Sequence, residues 1–128
     1  MLSSLNPNFH NAIIQSLNVD FESKTIRLFL KQERPKEGIL ILSQLDFEQV
    51  AWQDFRDFNA LNCIWDIEMS DSFADHDQYQ KGKPFSVSDH ERLKTDKTLK
   101  YYFFTSKSGL KACIVSKNVS VAQTEQPI

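Results

Sequence analysis

The sequence predicts a mainly β domain of the α+β kind: a largely antiparallel sheet of about six strands with one or two short helices. Three observations carry this expectation. Apolar and polar residues alternate over several stretches of strand length. Short polar turns join those stretches, which suits antiparallel neighbours and leaves no room for parallel crossovers. Only 3 Gly and 4 Pro occur in 128 residues, whereas 41% belong to the hydrophobic set, 10 Phe among them. Such a composition fills the core of one domain and excludes a linker or low-complexity chain.

Taken in order, Ile13, Leu17, Val19 and Phe21 fall on one face with Ser16, Asn18 and Asp20 between them, and Gln15 interrupts the pattern. Residues 21–25 supply a turn, after which Ile26, Leu28 and Leu30 resume the alternation with Thr25, Arg27 and Lys31 opposite, so the two runs read as a hairpin. Pro35 and Gly38 mark a second turn in residues 34–38. Residues 39–42 are a continuous apolar run, expected to be covered on both faces.

The period then changes. Phe47, Val50, Ala51, Phe55 and Phe58 stand at helical spacing, and Asp46 followed by Gln49 resembles a capping box, which predicts a short helix closed by Asn59. Residues 61–69 return to alternation, with Cys63, Trp65, Ile67 and Met69 directed to the core and Asp66 and Glu68 outward. A long loop over residues 70–84 follows, and then Ser88 and Glu91 cap one or two turns of helix. The clearest hairpin comes last: residues 99–105, a turn ending at Gly109, and residues 110–115, with Val119 and Val121 extending the sheet. Residues 1–122 are expected to form the single β-rich domain, and the polar residues 123–128 a flexible tail.

The first ten residues hold neither a basic region nor an apolar stretch, so no secretory signal is expected. The longest apolar runs, residues 39–42 and 101–104, fall far short of the ~20 residues of a membrane-spanning helix. The expected location is therefore cytoplasmic, with Cys63 and Cys113 as buried thiols rather than a disulfide.

With 15 basic and 17 acidic residues the formal charge is -2, poor footing for general binding to a phosphate backbone. The charges are unevenly placed. Residues 66–77 carry Asp66, Glu68, Asp71, Asp75 and Asp77 without a Lys or Arg, whereas Lys81, Lys83, Arg92, Lys94, Lys97 and Lys100 follow in the next stretch. The acidic segment suits a basic partner surface. It lacks the central Gly and terminal Glu of a calcium loop, and no metal site is assigned. The basic segment beside Tyr101, Tyr102, Phe103 and Phe104 invites a single-strand nucleic-acid reading. Strand alternation buries two of those four aromatics and carboxylates separate the lysines, so no nucleic-acid partner is expected.

His10, His76 and His90 are scattered, and no nucleophile-elbow, zinc-protease or phosphate-loop motif is present. No catalytic residue and no cofactor is assigned. Trp52, beside the predicted helical stripe, and Tyr79, in the long loop, are the candidate aromatic anchors of an interface.

Residues 11–30 (NAIIQSLNVDFESKTIRLFL), the apolar strand after them, residues 58–67 (FNALNCIWDI) and the Tyr-Tyr-Phe-Phe hairpin resemble small bacterial immunity proteins encoded beside polymorphic or contact-dependent toxins. The resemblance implies a non-catalytic role: binding a cognate toxin domain and occluding its active or substrate site. A nuclease toxin must attract phosphate, and a carboxylate-rich inhibitor surface gains steering against such a cleft. Asp66, Glu68, Asp71, Asp75 and Asp77, with Trp52 and Tyr79, are then the expected contact residues. The alternatives are a structural or adaptor protein-binding module, and a small ligand-binding or hydrolase β domain. The last requires a concave pocket with convergent polar groups near His76 or His90.

Overall fold

The alternation of Ile26, Leu28 and Leu30 buries all three side chains in β3 (Thr25–Arg34), which pairs antiparallel with β2 (Ile13–Asp20). The computed structural model describes residues 2–5, 7–58, 61–81 and 86–128. The interruption at Gln15 is a β-bulge: the register shifts between Ile14 and Ser16, so Ile14, rather than Ile13, joins Leu17 and Val19 against the core. Lys24 (φ 59°) and Gly38 (φ 67°) turn the chain at the two hairpin ends.

β4 (Ile39–Glu48) pairs along its whole length with β3 on one side and with β9 (Asn118–Pro127) on the other. In the apolar run, Ile41 is buried while Ile39, Leu40 and Leu42 are half-buried, so one face is covered fully and the other in part. Residues 123–127, expected as a flexible tail, are instead the last half of β9, opposite residues 39–43. Their polarity reflects exposed side chains, while the backbone finds its hydrogen bonds on β4.

The helix expected from Phe47, Val50, Ala51, Phe55 and Phe58 does not form. β4 continues through Glu48, the chain turns at Gln49 (φ 52°), and β5 (Trp52–Arg56) pairs with β8 (Lys111–Ser116). Asp46 caps nothing; it stands opposite Arg27 across the sheet and accepts a 2.7 Å hydrogen bond from its Nε. The apparent helical spacing comes from two strands joined by a turn, in a window whose Trp and Phe residues favour strand. The expected helix end at Asn59 lies outside the described residues.

β6 (Cys63–Ser70) pairs with β7 (Lys100–Ser108) and, on its other side, with β1 (Ser3–Ser4). Register shifts between Cys63 and Asp66 break its alternation: Ile64 and Ile67 are buried, whereas Trp65, expected in the core, is 52% exposed. Within the expected long loop lies α1 (Phe73–Gln80), and α2 (Val87–Thr95) is capped by Ser86, whose Oγ accepts from Asp89 N–H, rather than by Ser88. α1 escapes sequence reading because its buried positions are the polar His76 and Gln80.

Among the described residues nine strands, rather than six, form one antiparallel sheet in the order β5-β8-β7-β6-β2-β3-β4-β9, with β1 beside β6. β2 and β6 share the single register pair Ile13↔Cys63. Residues from both halves of the sheet form one core of Ile26, Leu28, Leu45, Phe47, Ile67, Tyr102, Phe104 and Ile114. A second cluster lies on the other face of β7 and β8: Tyr101, Cys113 and Val115 pack with Leu93 of α2, and Phe73 and Tyr79 of α1 close over them. All four aromatics at 101–104 are therefore covered, since the helices occupy the face expected to stay open. Cys63 and Cys113 form no disulfide. No helix among the described residues is long and apolar enough to cross a membrane.

Candidate partner-binding surface

The acidic segment leaves the sheet along β6 and continues into α1. Asp66 is half-buried; its Oδ2 accepts from Ser4 Oγ on β1 at 2.6 Å and its Oδ1 from the Ile67 N–H at 2.8 Å, so the carboxylate is held rigidly on the strand. Glu68 stands between Ser4 of β1 and Phe103 of β7, two residues along the same strand face. Asp71 is exposed just beyond the strand. Asp75 turns back to accept from Ser70 Oγ at 2.5 Å, tying the first turn of α1 to the end of β6. Asp77 is exposed but faces α2, with its Oδ1 3.7 Å from His90 Nε2. The structure thus keeps Asp66 and Glu68 on one face of β6 with Asp71 exposed just beyond it, while Asp75 and Asp77 turn toward Ser70 and His90.

Trp52 and Tyr79 do not stand out as anchors. The Trp52 indole meets the buried His76 ring edge to face at 4.7 Å, and both Trp52 and Tyr79 pack into the cluster beneath the helices. Tyr79 Oη donates to Asp54 Oδ2 at 2.9 Å, its ring lies 5.6 Å from that of Phe103, and the Arg56 guanidinium, itself paired with Asp54, lies over it. Burial, and then the bond to Asp54, raise the Tyr79 hydroxyl well above the ordinary phenol range, so it stays a donor. These contacts fasten α1 to β5 and β7.

No family model, curated protein or solved structure matches this chain.

Three aromatics that sequence reading placed on apolar faces are exposed, Phe21 (78%), Phe58 (61%) and Trp65 (52%), and Trp65 is the one beside the acidic segment. His10 props it: the two rings meet edge to face at 4.3 Å, and His10 Nδ1–H donates to the Trp65 carbonyl at 3.0 Å. One signal was available, the apolar doublet Ile64-Trp65 inside an otherwise alternating strand, which a bulge resolves by sending one residue out. Two open grooves flank the helices. One of about 760 Å³ runs between the β2–β3 turn and α2 and is lined by Asp20, Lys24, Arg92, Asp96 and Lys117 among others. Arg92 is committed within it, donating to the Ala51 carbonyl and to Asp89, each at 2.8 Å. The other, about 530 Å³, lies beside Asp77, Lys81 and His90. Among the described residues no three His, Cys, Asp or Glu side chains gather as a metal site.

Proposed function

We propose that this chain is a non-catalytic inhibitor of the immunity type, which occludes a basic toxin domain by docking it on β6 at Trp65, Asp66 and Glu68, with Asp71 extending the contact. The reading rests on one observation: an indole 52% exposed and propped by His10 lies next in sequence to Asp66, whose carboxylate is held on the strand. A Trp already held in place loses little freedom on binding and supplies a large apolar contact. Carboxylates near it speed encounter with a cationic surface and select against acidic ones. A nuclease, whose cleft must attract phosphate, fits this chemistry. Asp75 and Asp77 add to the field without reaching the partner, and Trp52 and Tyr79 serve the fold.

The test is co-expression with a nuclease toxin domain that this chain binds. Wild type restores growth, and the triple variant Trp65→Ala, Asp66→Asn, Glu68→Gln loses protection while remaining folded. Full protection by the folded triple variant removes this surface from the reading.

A second reading, a small-ligand domain, is favoured by Lys24 and Lys117, which line the larger groove together with Asp20 and Asp96. It predicts that inorganic phosphate or a nucleotide raises the melting temperature of wild type and not of Lys117→Ala.

A further inference from the structure

The two ends of the sheet differ in how their open edges are managed. β5 is five residues long and carries Asp54 and Arg56, both features that discourage further pairing. β9 is ten residues long, holds a single charged side chain, Glu125, and runs against β4 in unbroken register from Glu48↔Asn118 to Ile39↔Pro127. No bulge and no lysine protects it. Ile128 N–H donates to the Gly38 carbonyl at 3.0 Å. Because N–H direction alternates along a strand, the amides of Val119, Val121, Gln123 and Glu125 point away from β4. Pro127, which has no N–H, falls in the same outward series and costs the β4 ladder nothing.

We propose that β9 pairs antiparallel with β9 of a second copy of this chain, about a two-fold axis at Ala122, joining the two sheets into one. The occupant follows from self-complementarity. In this register Val119 stands opposite Glu125 of the second copy and Val121 opposite its Gln123, and the mirror pairs repeat, so every outward amide from Val119 to Glu125 finds a carbonyl. Ala122, exposed and the smallest side chain of the strand, meets its own copy at the non-hydrogen-bonded site, where Cα atoms approach to about 4.5 Å. The one charge avoids its twin, which a parallel pairing would stack directly upon it. A two-fold contact of this kind is closed and stops at a dimer. In the sheet order β2, β3 and β4 separate it from β6.

Sedimentation equilibrium from micromolar to millimolar chain tests this, with three variants in a Cys63→Ser background. The wild-type mass is expected to double as concentration rises, and Ala122→Lys, which sets two lysines face to face, is expected to stay at the monomer mass with an unchanged circular dichroism spectrum. Under mild oxidation Ala122→Cys is expected to cross-link to a dimer and Thr124→Cys, which faces Ser120 in this register, is not. A wild type monomeric at every concentration, an Ala122→Lys variant that dimerises as wild type does, or equal cross-linking at both cysteine positions overturns the proposal.

Discussion

Phe47 on β4 meets Tyr102 on β7 edge to face, with ring centroids 5.1 Å apart, although β6, β2 and β3 lie between their strands in the sheet order. Both rings belong to the same buried core, so the contact fastens the two halves of the sheet to each other.

Removing that ring is expected to be among the costliest single changes. Phe47 is wholly buried, and Phe47→Ala should lose about 3–5 kcal/mol. That is comparable with the ~5–15 kcal/mol total stability of a domain. Phe21→Ala, at a side chain 78% exposed, should stay within about 0.5 kcal/mol of wild type. Urea titration of both variants checks the contrast.

Acid should loosen the helix-covered cluster through His76. Its ring is wholly buried against Trp52, Tyr101 and Phe73, and burial pushes its pKa down from 6.5 to about 4; Asp77 and Asp54 oppose the shift weakly and His90 adds to it. The unfolded chain takes up the proton first, so this stability is complete above pH 6.5 and is lost as pH falls toward 4. At pH 5 the loss should be about 2 kcal/mol. Unfolding free energies from urea titration at pH 7.5 and pH 5 should differ by that amount in wild type and by much less in His76→Leu.

The α2 cap is Ser86 and not the Ser88 that the capping-box spacing predicts. Ser86→Ala removes the acceptor of the Asp89 N–H and should cost about 1 kcal/mol, whereas Ser88→Ala, inside the helix, should be near neutral. Thermal melts of the pair decide which residue is the cap.

The hairpins were legible because a half-buried strand writes its burial directly into alternation, as Ile26, Leu28 and Leu30 do. Where the sheet departs from regular pairing the pattern misled. The turn at Gln49 joined two strands into a false helical stripe, and the bulge before Asp66 put Trp65 outside. α1 was hidden because His76 and Gln80 carry its buried face, and β9 because a strand exposed on both sides has no apolar signature at its far end. The acidic composition of the site was visible in sequence. Its division was not, since that depends on Ser70 and His90 drawing Asp75 and Asp77 away from Asp66 and Glu68.

The two tryptophans should report their surroundings separately. Trp65 is 52% exposed and Trp52 is half-buried against His76. Trp65→Phe should remove the redder, acrylamide-accessible emission, and Trp52→Phe the bluer, protected emission. Equal quenching of the two single-Trp variants contradicts these placements.

The association rate of this chain with a basic toxin domain of the kind proposed above, measured against ionic strength, tests the β6 surface most directly. For wild type the rate is expected to fall steeply with salt, since exposed and half-buried carboxylates are screened within a Debye length of roughly 8–10 Å. In Asp66→Asn, Glu68→Gln the low-salt rate should drop by about tenfold or more and the salt dependence flatten. Trp65→Ala should chiefly raise the dissociation rate. Wild-type rates and salt slopes in both variants would contradict docking through β6.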